Sequence, residues 1–255
     1  MIGILAIGNS FSQDATAYLE ELAACGGVEA EVVNLYIGGC SLATHWHNAQ
    51  NDLAAYDYQR KGVGTGRRAS IREALQERDW NVVTLQQVSG DSGLWQTYEP
   101  YLGEMSEYVK KYAAGAKQMI HETWAYETDS ANQAFEKYGK NQQTMYMALR
   151  TAYRKAAAAV GAGWIPCGDA IQALRALPEF DYPRGGLSLC RDGSHLNLVY
   201  GRYAAAAVWY ETVMKRNILE NPFAPHGDLP ADENLLRLIA RTVHGVCSRP
   251  EPPEA

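Results

Sequence analysis

Short apolar runs alternate along the chain with longer stretches whose apolar residues recur at helical spacing. Residues 2–7 form a run of strand length that ends in Gly8-Asn9-Ser10. Residues 15–25 then place apolar side chains at helical spacing and stop at Gly26-Gly27, a helix-ending signal. Further runs of strand length lie at 31–37, 82–85, 118–121 and 163–166, and helical patterns at 70–78, 98–113, 132–160, 196–215 and 232–244. Strands that alternate with helices of this length predict parallel βαβ units. The expected fold is a three-layer α/β/α sandwich with a parallel sheet of about five strands, flavodoxin-like in its layering. Residues 44–68 break the rhythm, being polar and irregular with Gly62, Gly64 and Gly66 close together. They read as an excursion from the carboxyl edge of the sheet, where α/β enzymes build substrate sites.

With 255 residues and 47% hydrophobic content, the chain can bury a sizeable core. No repeat or Pro/Ser-rich linker divides it, so one domain over residues 1–248 and a disordered tail at 249–255 are expected. The balance of 23 basic against 29 acidic side chains, a net charge of −6, argues against nucleic acid as a partner, because phosphates call for a basic footprint. No run approaches the ~18 uninterrupted apolar residues of a membrane span. The N-terminus lacks the positive region of a secretion signal. The five cysteines are odd in number, scattered and without a CxxC. A reduced, cytoplasmic protein accounts for these features most simply, although a trimmed secreted chain would look the same.

Ser10 follows the first strand in GNSFS, at the carboxyl end where open parallel sheets place ligands. The amides of the next helix would favour negative charge developing there. Taken alone, a serine in this position is more often a helix cap. In DGSHLN, Asp192 and His195 stand three apart. A nucleophilic serine needs a base to take its proton and a carboxylate to orient that base, and a short Asp-x-x-His turn supplies both. An isolated DxxH is more often a cap beside a surface histidine. Gly39 closes the second strand in NLYIGGCSL, where a glycine offers an unobstructed amide to an oxyanion or merely ends a strand. Gln86 and Gln87 end the third strand in VVTLQQVSG; a side-chain amide there is either a further oxyanion donor or an ordinary loop polar group.

The order of these pieces is informative. Serine after strand one, glycine after strand two, a polar donor after strand three and DxxH near the C-terminus together resemble the SGNH (GDSL-type) hydrolase superfamily. The likeness is closest to its poorly characterised branch with GNSFS, GGCSL, a strand-ending LQQ, TWAY and RDGSHL blocks. Here these occupy residues 8–12, 38–42, 85–87, 123–126 and 191–196, and the likeness spans residues 8 to about 210. The resemblance implies Ser10 as nucleophile, His195 as general base and Asp192 as its orienting partner. It also implies the Ser10 and Gly39 amides as parts of an oxyanion hole. Two departures stand out. Asn9 occupies a position where many relatives have aspartate, and the usual Gly-x-Asn-Asp of the third block is missing. Gln86, Gln87 or Ser89 is left as substitute for that block's asparagine donor.

SGDSGL at 89–94 is not a chymotrypsin-like nucleophile block, because those enzymes are all-β and this chain alternates strand and helix. No GxSxG elbow is present. His45 and His47 form an HxH in a loop, with His121 on the fourth expected strand, and three histidines can hold a catalytic zinc. This spacing defines no third ligand, so no metal is expected, and His45 and His47 are placed at the pocket mouth instead. Trp46, Trp124 and Tyr126 are sugar-stacking faces or core, and Trp124 is assigned to the substrate pocket. The expected function is a serine esterase that removes small acyl groups, acetyl above all, from a small-molecule or glycan ester without a cofactor. A non-catalytic carbohydrate-binding protein on the same fold and a metal-dependent hydrolase are the alternatives.

Overall fold

The protein is described by a computed structural model covering residues 1–226 and 231–249. In chain order the elements are β1 (Ile2–Gly8), α1 (Ser10–Thr16), α2 (Leu19–Cys25), β2 (Ala30–Tyr36), α3 (Leu42–Gln50), β3 (Tyr56–Arg60), β4 (Val63–Ala69), α4 (Ile71–Gln76), β5 (Val82–Leu85), α5 (Tyr101–Tyr112), β6 (Lys117–His121), α6 (Gln142–Val160), β7 (Gly163–Ile165), α7 (Cys167–Arg175), α8 (Tyr200–Val213) and α9 (Glu233–Cys247). They build one seven-stranded sheet in the order β4-β3-β2-β1-β5-β6-β7. The five strands β2, β1, β5, β6 and β7 run parallel, as the alternation predicts, and their order is flavodoxin-like.

The central strands are apolar along almost their whole length, because both of their faces are covered. Ile4, Leu5, Ala6 and Ile7 of β1 are buried, as is every residue of β5. On one side α8 packs against α1, α2, α7 and α9, and on the other α3, α4, α5 and α6 pack in succession. The alanine run of α8 (Ala204–Ala207) is fully buried, and its small side chains let the helix approach its neighbours closely.

The structure departs from the sequence expectation in four places. Residues 44–68 are not irregular: they hold most of α3 and an antiparallel hairpin, β3–β4, added to the β2 edge. Lys61 (φ 52°) and Gly62 (φ 71°) make the tight connection, whose left-handed residues match the twist of a two-residue hairpin. The helix expected over 132–160 is broken, because Gly139 (φ 62°) and Lys140 (φ 52°) are left-handed. A short 3₁₀ turn precedes the break, and Asn141 restarts the chain as α6 by accepting from the Thr144 amide at 2.8 Å. The pattern over 15–25 is two short helices, the first beginning at Ser10. Finally, α7 was not expected at all.

Among the described residues no helix is long and apolar enough to cross a membrane. All five cysteines are free. Of the tail expected at 249–255, residues 250–255 lie outside the described residues.

Candidate active site

Asn9 sets the geometry of the first turn. Its Oδ1 accepts from the Phe11 amide at 3.0 Å, and its own amide donates to Ser12 Oγ at 3.0 Å, so α1 begins immediately after β1. Ser10 is thereby held in the first helical position at the carboxyl end of a central strand. The Asn9 side chain also reaches sideways, Nδ2 donating to the Cys40 carbonyl at 3.0 Å, while Oδ1 accepts from Gln86 Nε2 at 2.9 Å. This ties the turns after β1, β2 and β5 together. An ionised aspartate here would have no hydrogen to offer the Cys40 carbonyl.

The fold brings Ser10 and His195 into contact across 185 positions, with Ser10 Oγ 2.9 Å from His195 Nε2. On the other side of the ring, His195 Nδ1 lies 2.7 Å from Asp192 Oδ2. A carboxylate can only accept, so Nδ1 carries the proton and Nε2 accepts from the serine hydroxyl. Asp192 Oδ1 meanwhile accepts from the His195 amide at 2.7 Å, the Ser194 amide at 3.0 Å and Ser194 Oγ at 3.1 Å. Partial burial works against the charged carboxyl. The His195 amide and ring and the Ser194 amide outweigh it and hold Asp192 well below the usual carboxylate range. Gly193 makes this tight turn possible, because its φ is +79° and an added Cβ would stand 2.8 Å from Ser130 Cα.

Ser10 and Gly39 line the same cavity of about 350 Å³, with Ser89, Asn132, Lys137 and His195 around them. Neither the Ser10 nor the Gly39 amide finds an acceptor among the described residues. At Gly39 φ is +64°, and an added Cβ would meet nothing within 4 Å, so the glycine serves the backbone conformation rather than a close approach.

Several residues assigned to the site from sequence lie elsewhere. Gln86 is buried with Nε2 on Asn9 and Oε1 2.7 Å from His121 Nδ1. Gln87 accepts from the Leu42 and Val88 amides at 2.9 and 2.8 Å and donates to the Thr97 carbonyl at 2.9 Å. Both glutamines are consumed in joining loops and do not line the cavity. Of the three candidates for the extra donor, Ser89 alone lines it, with its Oγ 2.8 Å from the Tyr126 hydroxyl.

His45 is wholly buried against Tyr56, its Nδ1 2.8 Å from the tyrosine hydroxyl, while His47 sits exposed on α3. Neither lines the cavity. Burial pushes both His45 and His121 down to about 3, and the Nε2 of each has no partner among the described residues. Among the described residues no group of three or more His, Cys, Asp or Glu could hold a metal ion, so the three histidines form no ligand set. Trp124 is core beneath the site rather than a sugar-stacking wall.

One buried charged position beside the site escaped the sequence reading. Asp14, one turn after Ser10 on α1, is a fully buried carboxylate paired with Arg191 and Arg202. A charged residue on the buried face of a short helix was the available signal.

The comparisons agree with this architecture. The family model described as "Domain of unknown function (DUF4886)" matches residues 3–243. No curated protein matches the chain. Among solved structures, a DUF4886 family protein from Bacteroides uniformis is 37% identical, with a TM-score of 0.87 over 96% of this chain and 94% of its own. A proposed SGNH hydrolase from Slackia heliotrinireducens is 26% identical, with a TM-score of 0.56 over 83% and 98%. A mutant of Axe2, an acetyl-xylooligosaccharide esterase from Geobacillus, shares the fold at 13% identity, with a TM-score of 0.51 over 83% and 94%. The chain belongs to the DUF4886 family, and its fold is that of the SGNH hydrolases.

Proposed function

We propose that the protein is a serine esterase that removes short acyl groups, acetyl above all, from an oxygen on a polar alcohol such as a carbohydrate. The observation that carries this reading is the unbroken relay from Ser10 Oγ through His195 to Asp192, at 2.9 and 2.7 Å, beside a cavity lined by two residues whose amides find no acceptor among the described residues. His195 Nε2 takes the hydroxyl proton as Ser10 Oγ attacks the ester carbonyl carbon. The carbonyl oxygen, now negative, is received by the Ser10 and Gly39 amides, with the Ser89 hydroxyl alongside. Collapse breaks the bond to the alcohol oxygen, which takes the proton from His195. Water then attacks the acyl-serine by the same route and releases the acid. Asp192 stays ionised and steadies the imidazolium at both stages. None of these steps calls on a metal or an organic cofactor.

A cavity of about 350 Å³ that also has to admit part of the alcohol leaves room for a short acyl chain. Its rim, with Asn132 and the Lys137–Asp91 ion pair, offers hydrogen bonds to hydroxyl groups. These two features support the acetyl and carbohydrate halves of the proposal.

A fluorophosphonate and p-nitrophenyl acetate test it together. The expected result is covalent labelling at Ser10, ester turnover that persists with a chelator, and loss of both in Ser10→Ala. The fall in kcat should be on the order of 10⁴-fold or more. Among esters, acetylated sugars should outrun long-chain acyl esters. An unlabelled protein that still binds sugars would overturn the esterase reading in favour of a carbohydrate-binding module.

A further inference from the structure

Ser10 and Asp14 are four residues apart on α1 and therefore share one face of that helix. Asp14 is fully buried, and both of its oxygens are occupied. Oδ1 accepts from Arg202 Nε at 2.8 Å and Arg191 Nη1 at 3.0 Å, while Oδ2 accepts from Arg191 Nη1 at 2.9 Å and the Leu196 amide at 3.0 Å. Arg191 and Leu196 are the two ends of the loop that carries Asp192 and His195.

That loop holds its own shape. The Arg191 amide donates to the His195 carbonyl at 2.8 Å, Cys190 bridges Leu196, and Asp192 gathers the Ser194 and His195 amides. Arg191 also donates to the Leu196 carbonyl. What the loop does not supply from within is its place relative to α1. Apart from the Ser10–His195 hydrogen bond itself, the hydrogen bonds between α1 and residues 191–196, among the described residues, all end on Asp14.

We propose that Asp14 is a positioning residue: it docks the preformed His195 loop onto the helix that carries Ser10, and so fixes the distance over which the proton moves. The inference rests on the esterase reading above. A buried carboxylate is unfavourable unless paired, and replacing a buried ion cluster with apolar side chains is often neutral for stability. A charge cluster at this point therefore fits a demand of geometry better than one of stability. Asn at position 14 would keep the shape, yet it would turn an amide group or a weaker acceptor toward two guanidinium groups. The loop would then be free to shift against α1, and a misplacement of about 1 Å can lower turnover about 10²-fold.

The test compares p-nitrophenyl acetate turnover in four full-length proteins: unaltered, Asp14→Asn, His195→Ala and the double variant. Asp14→Asn should lower kcat on the order of 10²-fold with KM changed about threefold or less, and should add nothing to His195→Ala. A purely structural role would lower turnover by the same factor in both backgrounds and would overturn the inference, as would full activity in Asp14→Asn. If circular dichroism shows that Asp14→Asn does not fold, Arg191→Gln cuts the same tie from the loop side and enters the same comparison. Absence of Ser10-dependent turnover in the unaltered protein is a different outcome: it removes the esterase reading, and the inference falls with it.

Discussion

The indole of Trp124 stacks on the ring of Phe11, with centroids 4.5 Å apart and planes 25° from parallel. Phe11 follows Ser10 in the chain, and Trp124 Nε1 donates to the Ser194 carbonyl at 2.8 Å, immediately before His195. One buried side chain thus contacts the segments that carry both Ser10 and His195. Trp124→Phe keeps a ring in the stack and removes the donor. It should lower stability by about 1–3 kcal/mol, the range for a buried carbonyl left unpaired. Trp124→Ala adds the cavity and should lose about 3–5 kcal/mol. Urea unfolding of the two variants measures the difference; an unchanged stability in Trp124→Phe would mean that the hydrogen bond to Ser194 contributes nothing, and equal losses in the two would mean that the ring stack adds nothing to it.

Asp192 should leave a clear mark on the pH profile. Because His195 and Ser194 hold its carboxyl below the usual carboxylate range, it remains ionised where an ordinary aspartate, near ~3.9, would begin to take a proton. Its contribution is present above that ordinary value and is lost only as pH falls through the lower folded value. The acid limb of log kcat/KM should therefore carry no step from this carboxyl, and its slope should not exceed one. A slope of two would place Asp192 among the titrating groups. Asp192→Asn should lower kcat by about 10²–10⁴-fold, since an amide no longer fixes the tautomer or balances the imidazolium.

The two buried histidines make stability depend on pH for a separate reason. Burial pulls His45 and His121 down to about 3, whereas in an unfolded chain an imidazole takes its proton near ~6.5. Their contribution is intact above the unfolded value. Below it the unfolded chain binds protons that the fold refuses, and stability falls by about 1.4 kcal/mol per pH unit for each ring. Denaturant titrations between pH 7.5 and 4.5 should show this decline, and His45→Asn should make it shallower by one ring's share. Parallel slopes in the two proteins would contradict the assignment for His45.

Gln87 separates the structural role of the strand-ending glutamines from a catalytic one. Gln87→Ala leaves the Leu42 and Val88 amides without their acceptor and should destabilise by about 1–3 kcal/mol. In the folded fraction kcat should change only a few-fold. A loss near ~100-fold, the size expected for an oxyanion donor, would return this residue to the reaction.

Part of this architecture is legible in the amino-acid sequence itself. β1 and β5 carry runs apolar enough to require burial, and the alternation of strand-length runs with helical patterns predicts the layering. Ser10, Gly39, Asp192 and His195 are each ambiguous alone; their order along the chain suggests one site, and the fold places Ser10, Gly39 and His195 around one cavity with Asp192 on the far side of the imidazole. The strand-ending glutamines were not decidable, because nothing in LQQVSG reveals that the start of α3 and the Thr97 turn will claim the Gln87 amide. The HxH pair misled for a simpler reason. Once residues 45 and 47 lie on α3, side chains two apart point to different faces, so one histidine is buried and the other exposed. The β3–β4 hairpin was hidden because β4 is exposed over almost its whole length and shows no apolar alternation.

That hairpin has a consequence for how the protein behaves in concentrated solution. It makes β4 the outermost strand on one side of the sheet, with β7, three residues long, at the other margin. A long outer strand with unpaired amides is a template on which another chain can zip. Here that strand carries Gly64 and Gly66, which stiffen it poorly, and Arg67 and Arg68, whose like charges would meet across any such junction. Exchanging the two arginines for valine would remove the repulsion and invite copies to associate margin to margin.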